Sequence, residues 1–156
     1  MGGINYKILP EILKLNFNGD IRRIIVQQRK RLVIHIRKEA LPEIANYFLD
    51  ELSYRFIIAT GMVNDNGFDI IYHFSDDKTG YIINLQTSLP ENNPEIESLA
   101  NIINAANWIE REIHELFGIK FINHPNLTKL ISEGNWKDND HPYARKKRNE
   151  FNPDEL

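Results

Sequence analysis

FIIATGMVNDNGFDIIYHFSDDKTGYIINLQT, Phe56–Thr87, is the stretch that decides the fold. Phe56–Val63, Phe68–Phe74 and Tyr81–Thr87 read as three strands. Asn64-Asp65-Asn66-Gly67 between the first two is a strong turn signal, and Asp76–Gly80 is a short polar loop between the second and third. Sequential strands joined by such short connections imply antiparallel pairing.

Upstream, Ile21–Gln28 is rich in β-branched residues and Leu32–Arg37 alternates, which gives two more strands around a charged turn at Arg29-Lys30-Arg31. Leu41–Leu52 follows as a helix. Pro42 suits its first turn, and Ile44, Ala45, Phe48 and Leu52 fall on one face. Downstream, Leu89–Pro94 breaks the strand pattern. Asn93-Pro94 resembles an N-cap followed by proline at the first helical position, so a second helix is expected from about Pro94 to Phe117, with an interruption near Asn104. Gly118 suits the left-handed position that ends it. The remainder is polar and broken. The expected fold is α+β: a mainly antiparallel β-sheet packed with helices, with an irregular C-terminal tail. Residues 1–120 form the folded unit and residues 121–156 an extended docking tail.

The chain has 156 residues, which fits one domain with a real core. Hydrophobic residues make up 42% and charged residues 26%, and the formal net charge is −3, so no global field draws the chain to nucleic acid or anionic lipid. Cysteine is absent, which excludes disulfides, thiolate nucleophiles and cysteine-held metal clusters in this chain. The opening MGGINYKILPEILKLNF lacks a basic segment followed by an apolar one, so no signal peptide is expected, and no apolar run is long enough to span a membrane.

The expected second helix contains an anomaly. On a helical projection Leu99, Ile102, Ile103, Ala106, Ile109, Ile113, Leu116 and Phe117 make one apolar stripe, and Glu110 falls inside it. Arg111 and Glu115 share the opposite flank, and Glu112 sits with Trp108 on the remaining side. A lone buried carboxylate costs several kcal/mol, about enough to force pairing or protonation. Glu110 with His114 and Arg111 with Glu115 are the pairs the helix itself offers. Each is worth only about a few tenths of a kcal/mol when exposed, so a partner outside the helix is expected for Glu110.

Catalytic patterns fit poorly. His114-Glu115 begins an HExxH, but the second histidine would fall at Gly118. Glu110 and Glu112 point away from each other and cannot act as a paired acid and base. His114, His124 and His141 are spaced irregularly for a metal site, and His35 and His73 lie in strands, where hydrogen-bonded structural histidines are the usual case. No phosphate loop, dinucleotide fingerprint or nucleophile elbow is present. A small hydrolase using Glu110 with His114 is the alternative of another class. The basic runs Arg29-Lys30-Arg31 and Arg145-Lys146-Lys147-Arg148 read as a solvated turn and a docking tail rather than a nucleic-acid site.

Ala105-Ala106-Asn107-Trp108-Ile109-Glu110-Arg111-Glu112, then Glu115-Leu116-Phe117-Gly118-Ile119, then His124-Pro125-Asn126-Leu127, resemble the C-subunit family of respiratory complex I (NADH dehydrogenase) and its relatives in membrane-bound [NiFe]-hydrogenases. His141-Pro142 followed by Arg145-Lys146 resembles a later element of that family. Three features depart from the pattern. Thr128-Lys129 stands where the family usually has two adjacent basic residues. One residue is inserted after His141-Pro142, and His114 is closer to the hydrogenase-type branch. The resemblance implies a protein that holds no cofactor, with iron–sulfur clusters, and [NiFe] in one branch, in partner subunits. The implied partners are the large hydrogenase-like or quinone-reducing subunit and the small iron–sulfur subunit. The implied location is peripheral, at the cytoplasmic face of the cell membrane. It further implies that Trp108, Glu110, Arg111, Glu112, His114, Glu115, Phe117, Gly118, His124, Pro125, Leu127, Lys129, His141, Pro142, Arg145 and Lys146 are interface residues, with charges neutralised by another polypeptide.

Overall fold

The computed structural model of the chain describes residues 8–132, 137 and 140–144. A short helix α1 (Leu9–Asn16) leads into the hairpin β1 (Ile21–Gln28) and β2 (Arg31–Ile36). Helix α2 (Leu41–Asp50) follows, and then the meander β3 (Arg55–Asn64), β4 (Gly67–Asp76) and β5 (Tyr81–Pro90). Three residues, Glu95–Glu97, make β6, and α3 (Ala106–Phe117) and β7 (Lys120–Ile122) complete the order.

The strand order is β1-β2-β5-β4-β3. Both hairpin systems are antiparallel, as their short turns require, with Phe74 opposite Phe56 and Ile83. The join between them is parallel, Ile34 beside Leu85, because the chain returns to β2 only after crossing through α2 and two strands. The sheet is therefore mixed, though mainly antiparallel. All helices cover one face. Ile34, Leu85, Tyr72 and Phe74 point inward to meet Leu41, Ile44 and Phe48, and the Phe48 and Phe74 rings pack edge to face at 5.4 Å. Such ring pairs add about 0.5–1.5 kcal/mol beyond area burial. On the opposite face His73 is hydrogen-bonded between Thr60 and Asn84, the structural role expected of a strand histidine.

Two sequence expectations need correction. The first concerns the segment after Pro94, which does not begin a helix. Glu95–Glu97 is a strand pairing in parallel with Lys120–Ile122, and Leu99–Asn104 forms turns, so α3 starts only at Ala106. The physical cause lies in the amide donors. The Ser98 N–H goes to the Ile122 carbonyl and the Leu99 N–H to the Glu110 carboxylate, so neither can make the bond to the fourth residue back that a helix needs. The second concerns α1, for which the sequence reading sets no element. Leu9, Leu13 and Phe17 bury its inner face, and Phe17 packs on Tyr47.

Candidate functional site

The charged helix is the hub of the C-terminal half. Glu110 is fully buried, as its place in the apolar stripe requires. Its Oε1 accepts hydrogen bonds from the Tyr72 hydroxyl at 2.8 Å and the Leu99 N–H at 2.9 Å, and its Oε2 accepts one from the Ser98 hydroxyl at 2.5 Å. One carboxylate thus ties α3 to β4 and to the turn after β6. Burial pushes its pKa up from the usual carboxylate range, against the three hydrogen bonds that favour the ionised form. The same burial, together with the neighbouring carboxylate, pushes the Tyr72 hydroxyl well up, so it stays a donor at neutral pH.

Arg111 and Glu115 do not pair with each other. Arg111 donates to the Thr128 carbonyl, the Thr128 hydroxyl and the Lys129 carbonyl at 2.8–3.0 Å. Glu115, 1% exposed, accepts the N–H groups of Leu130, Ile131 and Ser132 at 2.7–2.8 Å. Burial alone would push the Glu115 carboxyl up; the amide donors of Ile131, Leu130 and Ser132 override it and hold the pKa down at about 2. One turn of helix therefore clamps five residues of irregular backbone, its cation on the carbonyls and its anion on the N–H groups. The clamp supplies the hydrogen bonds that a segment without helix or ladder must otherwise find in water. Thr128, a departure from the family pattern, serves here as an acceptor for Arg111.

Gly118 stops the helix at φ 75°, as expected from its place in the sequence. A second requirement fixes it as glycine, since a Cβ there would lie 2.7 Å from Cδ2 of His141. The 141–143 segment caps the helix end. His141 Nδ1–H donates to the Glu115 carbonyl, and the Tyr143 N–H donates to that of Leu116. His114 turns back to donate Nδ1–H to the Ile119 carbonyl rather than to Glu110, which removes the helix pair and with it the acid–base dyad of the hydrolase reading. Burial lowers the pKa of His114. His124 donates Nε2–H to the Asn107 carbonyl and accepts the Asn126 N–H at Nδ1. Its Nε2 also lies 3.9 Å from Glu110, but Nδ1, accepting the Asn126 N–H, carries no proton, so the contact is with a neutral ring; burial lowers the His124 pKa in the same sense. Among the described residues no group of three or more ligating side chains could hold a metal.

The other signature residues are dispersed. Leu127 packs against the core, Phe117 stacks edge-on between Phe68 and Tyr143, and Lys129 donates to the Lys137 carbonyl. Pro125 and Pro142 are exposed, and Arg145 and Lys146 lie outside the described residues. Glu110, Arg111, His114 and Glu115 thus find their partners inside this chain, which corrects the expectation that another polypeptide neutralises them. Glu112 alone of the five charged side chains of α3 has no hydrogen-bond or ionic partner among the described residues, and beside it Trp108 is 69% exposed. The sequence reading missed Tyr72 and Ser98, whose types and spacing gave no signal of a meeting with Glu110.

No helix among the described residues is long and apolar enough to cross a membrane. The sequence profile of the family described as respiratory-chain NADH dehydrogenase, 30 Kd subunit, matches residues 34–150. The NADH-quinone oxidoreductase C-subunit of Streptomyces coelicolor is 32% identical over 119 residues, covering 72% of this chain and 47% of that protein. The Citrifermentans bemidjiense C-subunit is 30% identical over 114 residues, covering 70% of this chain and 71% of the other. The chain thus spans about half the length of the Streptomyces relative. Two solved structures share the fold. A trypsin-resistant fragment of Nqo5 has a TM-score of 0.65 at 20% identity, covering 78% of this chain and 98% of the other. A chain of the membrane-bound sulfane sulfur reductase, an archaeal respiratory membrane complex, has a TM-score of 0.67 at 17% identity, covering 88% and 79%. With the ERE helix, the glycine stop and the profile in agreement, the chain belongs to the family of the 30 kDa subunit, or C-subunit, of the respiratory-chain NADH dehydrogenase.

Proposed function

We propose that this chain is a non-catalytic structural subunit of the hydrophilic arm of an energy-converting membrane oxidoreductase, complex I-like or [NiFe]-hydrogenase-type, docking on its large subunit and stabilising it. The observation that carries the reading is the use of charge in α3. Glu110, Arg111 and Glu115 are spent on holding irregular backbone rigid, and no convergent acid, base or nucleophile is left among them. A surface built of loops fixed by buried carboxylates is preorganised, which lowers the ordering cost of association. In this reading Glu110 and Arg111 act on docking through the shape they maintain. The large subunit and a small iron–sulfur subunit carry the iron–sulfur clusters, and [NiFe] in the hydrogenase branch. The chain sits peripherally at the cytoplasmic face of the membrane through those partners.

The names of the relatives favour the NADH-quinone branch, and the C-subunit of an NADH- or F420H2:quinone-type oxidoreductase is the second reading. An adjacent large-subunit reading frame retaining two CxxC motifs selects the hydrogenase branch, and one without them selects quinone reduction. The test of the structural role is deletion of the gene followed by purification of the large subunit from membranes. Loss of the assembled large subunit and of turnover is expected. Full assembly and full turnover without the chain would end the proposal.

A further inference from the structure

The one charge of α3 without a partner among the described residues lies in an apolar groove. Glu112 is half-buried, and with Trp108, Ile109, Phe56, Ile57 and Leu130 it lines a groove of about 300 Å³ between α3 and the start of β3. β3 is an edge strand, and the register with β4 shifts between Phe56 and Ile58, so Ile57 is an extra, unpaired residue. Bulges of this kind re-aim a side chain at a sheet edge. Ile57 and Ile58 are 41% and 46% exposed, and Trp108 is 69% exposed. Half-buried between apolar walls, this carboxylate has no hydrogen-bond or ionic partner among the described residues to offset the hydration it gives up.

We propose that this groove is the seat of a partner-subunit segment carrying an arginine next to an apolar side chain. The apolar side chain lies between Trp108 and Ile57, and the guanidinium pairs with Glu112. Charge complementarity selects this occupant. Among the described residues the groove offers one unpaired anion and no cation, and arginine matches a carboxylate in two parallel hydrogen bonds while its plane stacks on an indole face. An aromatic anchor beside a desolvated ion pair is the usual anatomy of an interface centre. The inference rests on the docking role proposed for the chain and names the surface through which it acts.

The test uses the tagged full-length chain, expressed in its own cells in place of the untagged one and purified from membranes. The large subunit that comes with it is quantified by mass spectrometry. The variants are Trp108→Ser, Glu112→Gln and Glu112→Arg, with Leu15→Ser, on the remote exposed face of α1, as the control. Circular dichroism melts verify that each variant folds. Trp108→Ser and Glu112→Arg are expected to lower recovery of the large subunit by about tenfold or more, and Glu112→Gln by severalfold, with Leu15→Ser unchanged. A photo-cross-linker replacing Ile57 is expected to reach a partner segment with arginine adjacent to the labelled residue. If the wild-type chain recovers the large subunit and every groove variant recovers as much, the groove is refuted while the docking role stands. Cross-links only to a second copy of this chain, or to its own residues 145–156, refute it equally. If the wild-type chain recovers no large subunit, the docking role and the groove fall together.

Discussion

The two buried carboxylates of α3 should respond unequally to the same replacement, glutamine. At Glu115 all three partners are backbone N–H groups, two on Oε2 and one on Oε1. A backbone donor cannot be reversed. The amide oxygen of Glu115→Gln can keep the bonds to Leu130 and Ile131, now without charge assistance, but its NH2 must face the Ser132 N–H. Losing charge assistance on two bonds takes about 1–2 kcal/mol, and a buried donor left unpaired adds about 1–3 kcal/mol. The expected loss is about 2–5 kcal/mol, a large share of the stability of a domain this size. At Glu110 two of the three donors are hydroxyls. The amide oxygen takes over Oε1, keeping Tyr72 and Leu99, and the NH2 donates to Ser98, whose hydroxyl can turn and accept. The bond to Ser98 is kept in reverse, but its hydroxyl hydrogen loses its acceptor because Oγ then accepts from both Ala100 N–H and the new NH2; with a buried charge removed in return, Glu110→Gln should lose about 0–2 kcal/mol, less than Glu115→Gln. Urea unfolding of the purified chain at neutral pH, followed by far-UV circular dichroism, measures both. Equal losses, or a larger loss at Glu110, would show that the partner geometry assigned to these carboxylates is wrong.

Titration should separate the same pair. The Glu115 pKa is held down at about 2, below the ordinary value near 4.3, so its contribution is present above about pH 4 and is lost as pH falls toward 2. The Glu110 pKa is raised, so its ionisation opposes folding, and stability should increase as pH falls through that raised value toward the ordinary carboxylate range. Urea midpoints against pH should therefore pass through a maximum on the acid side of neutral, with Glu110→Gln flattening the upper limb and Glu115→Gln the lower one. Gly118→Ala puts a side chain at φ 75° and against the His141 ring, so it should lose about 1–3 kcal/mol and speed limited proteolysis at the 141–144 segment; unchanged proteolysis would count against the cap. Gly61 faces Ile113 and Phe117 at 3.1 Å from where a Cβ would sit, so Gly61→Val should overpack the β3–α3 contact and lower the urea midpoint by the equivalent of about 1–3 kcal/mol.

Local pattern carried the sheet and the end of α3. Strands β3, β4 and β5 were readable because short turn signals separate apolar runs, and the left-handed stop at Gly118 because the helical pattern ends there. The family signature was equally local, a run of residue types from Ala105 to Leu127. Burial of Glu110 followed from its place in a periodic stripe. Its partners did not follow, because Tyr72 and Ser98 lie 38 and 12 residues away and nothing in their own neighbourhoods marks them.

Tertiary structure decided the rest. The segment after Pro94 carries a helix start and helically spaced apolar residues, yet it forms a strand and turns because distant groups take its amide donors. The parallel β6–β7 pair has only three residues a strand, too few to show a period. Arg111 and Glu115, four residues apart on one flank, had a pairing available inside their helix worth a few tenths of a kcal/mol, but the backbone of residues 128–132 offered both of them several charge-assisted hydrogen bonds instead. Sequence sets which groups must be buried or charged; which partner each one meets depends on contacts across the chain, where many bonds outweigh one weak local pair.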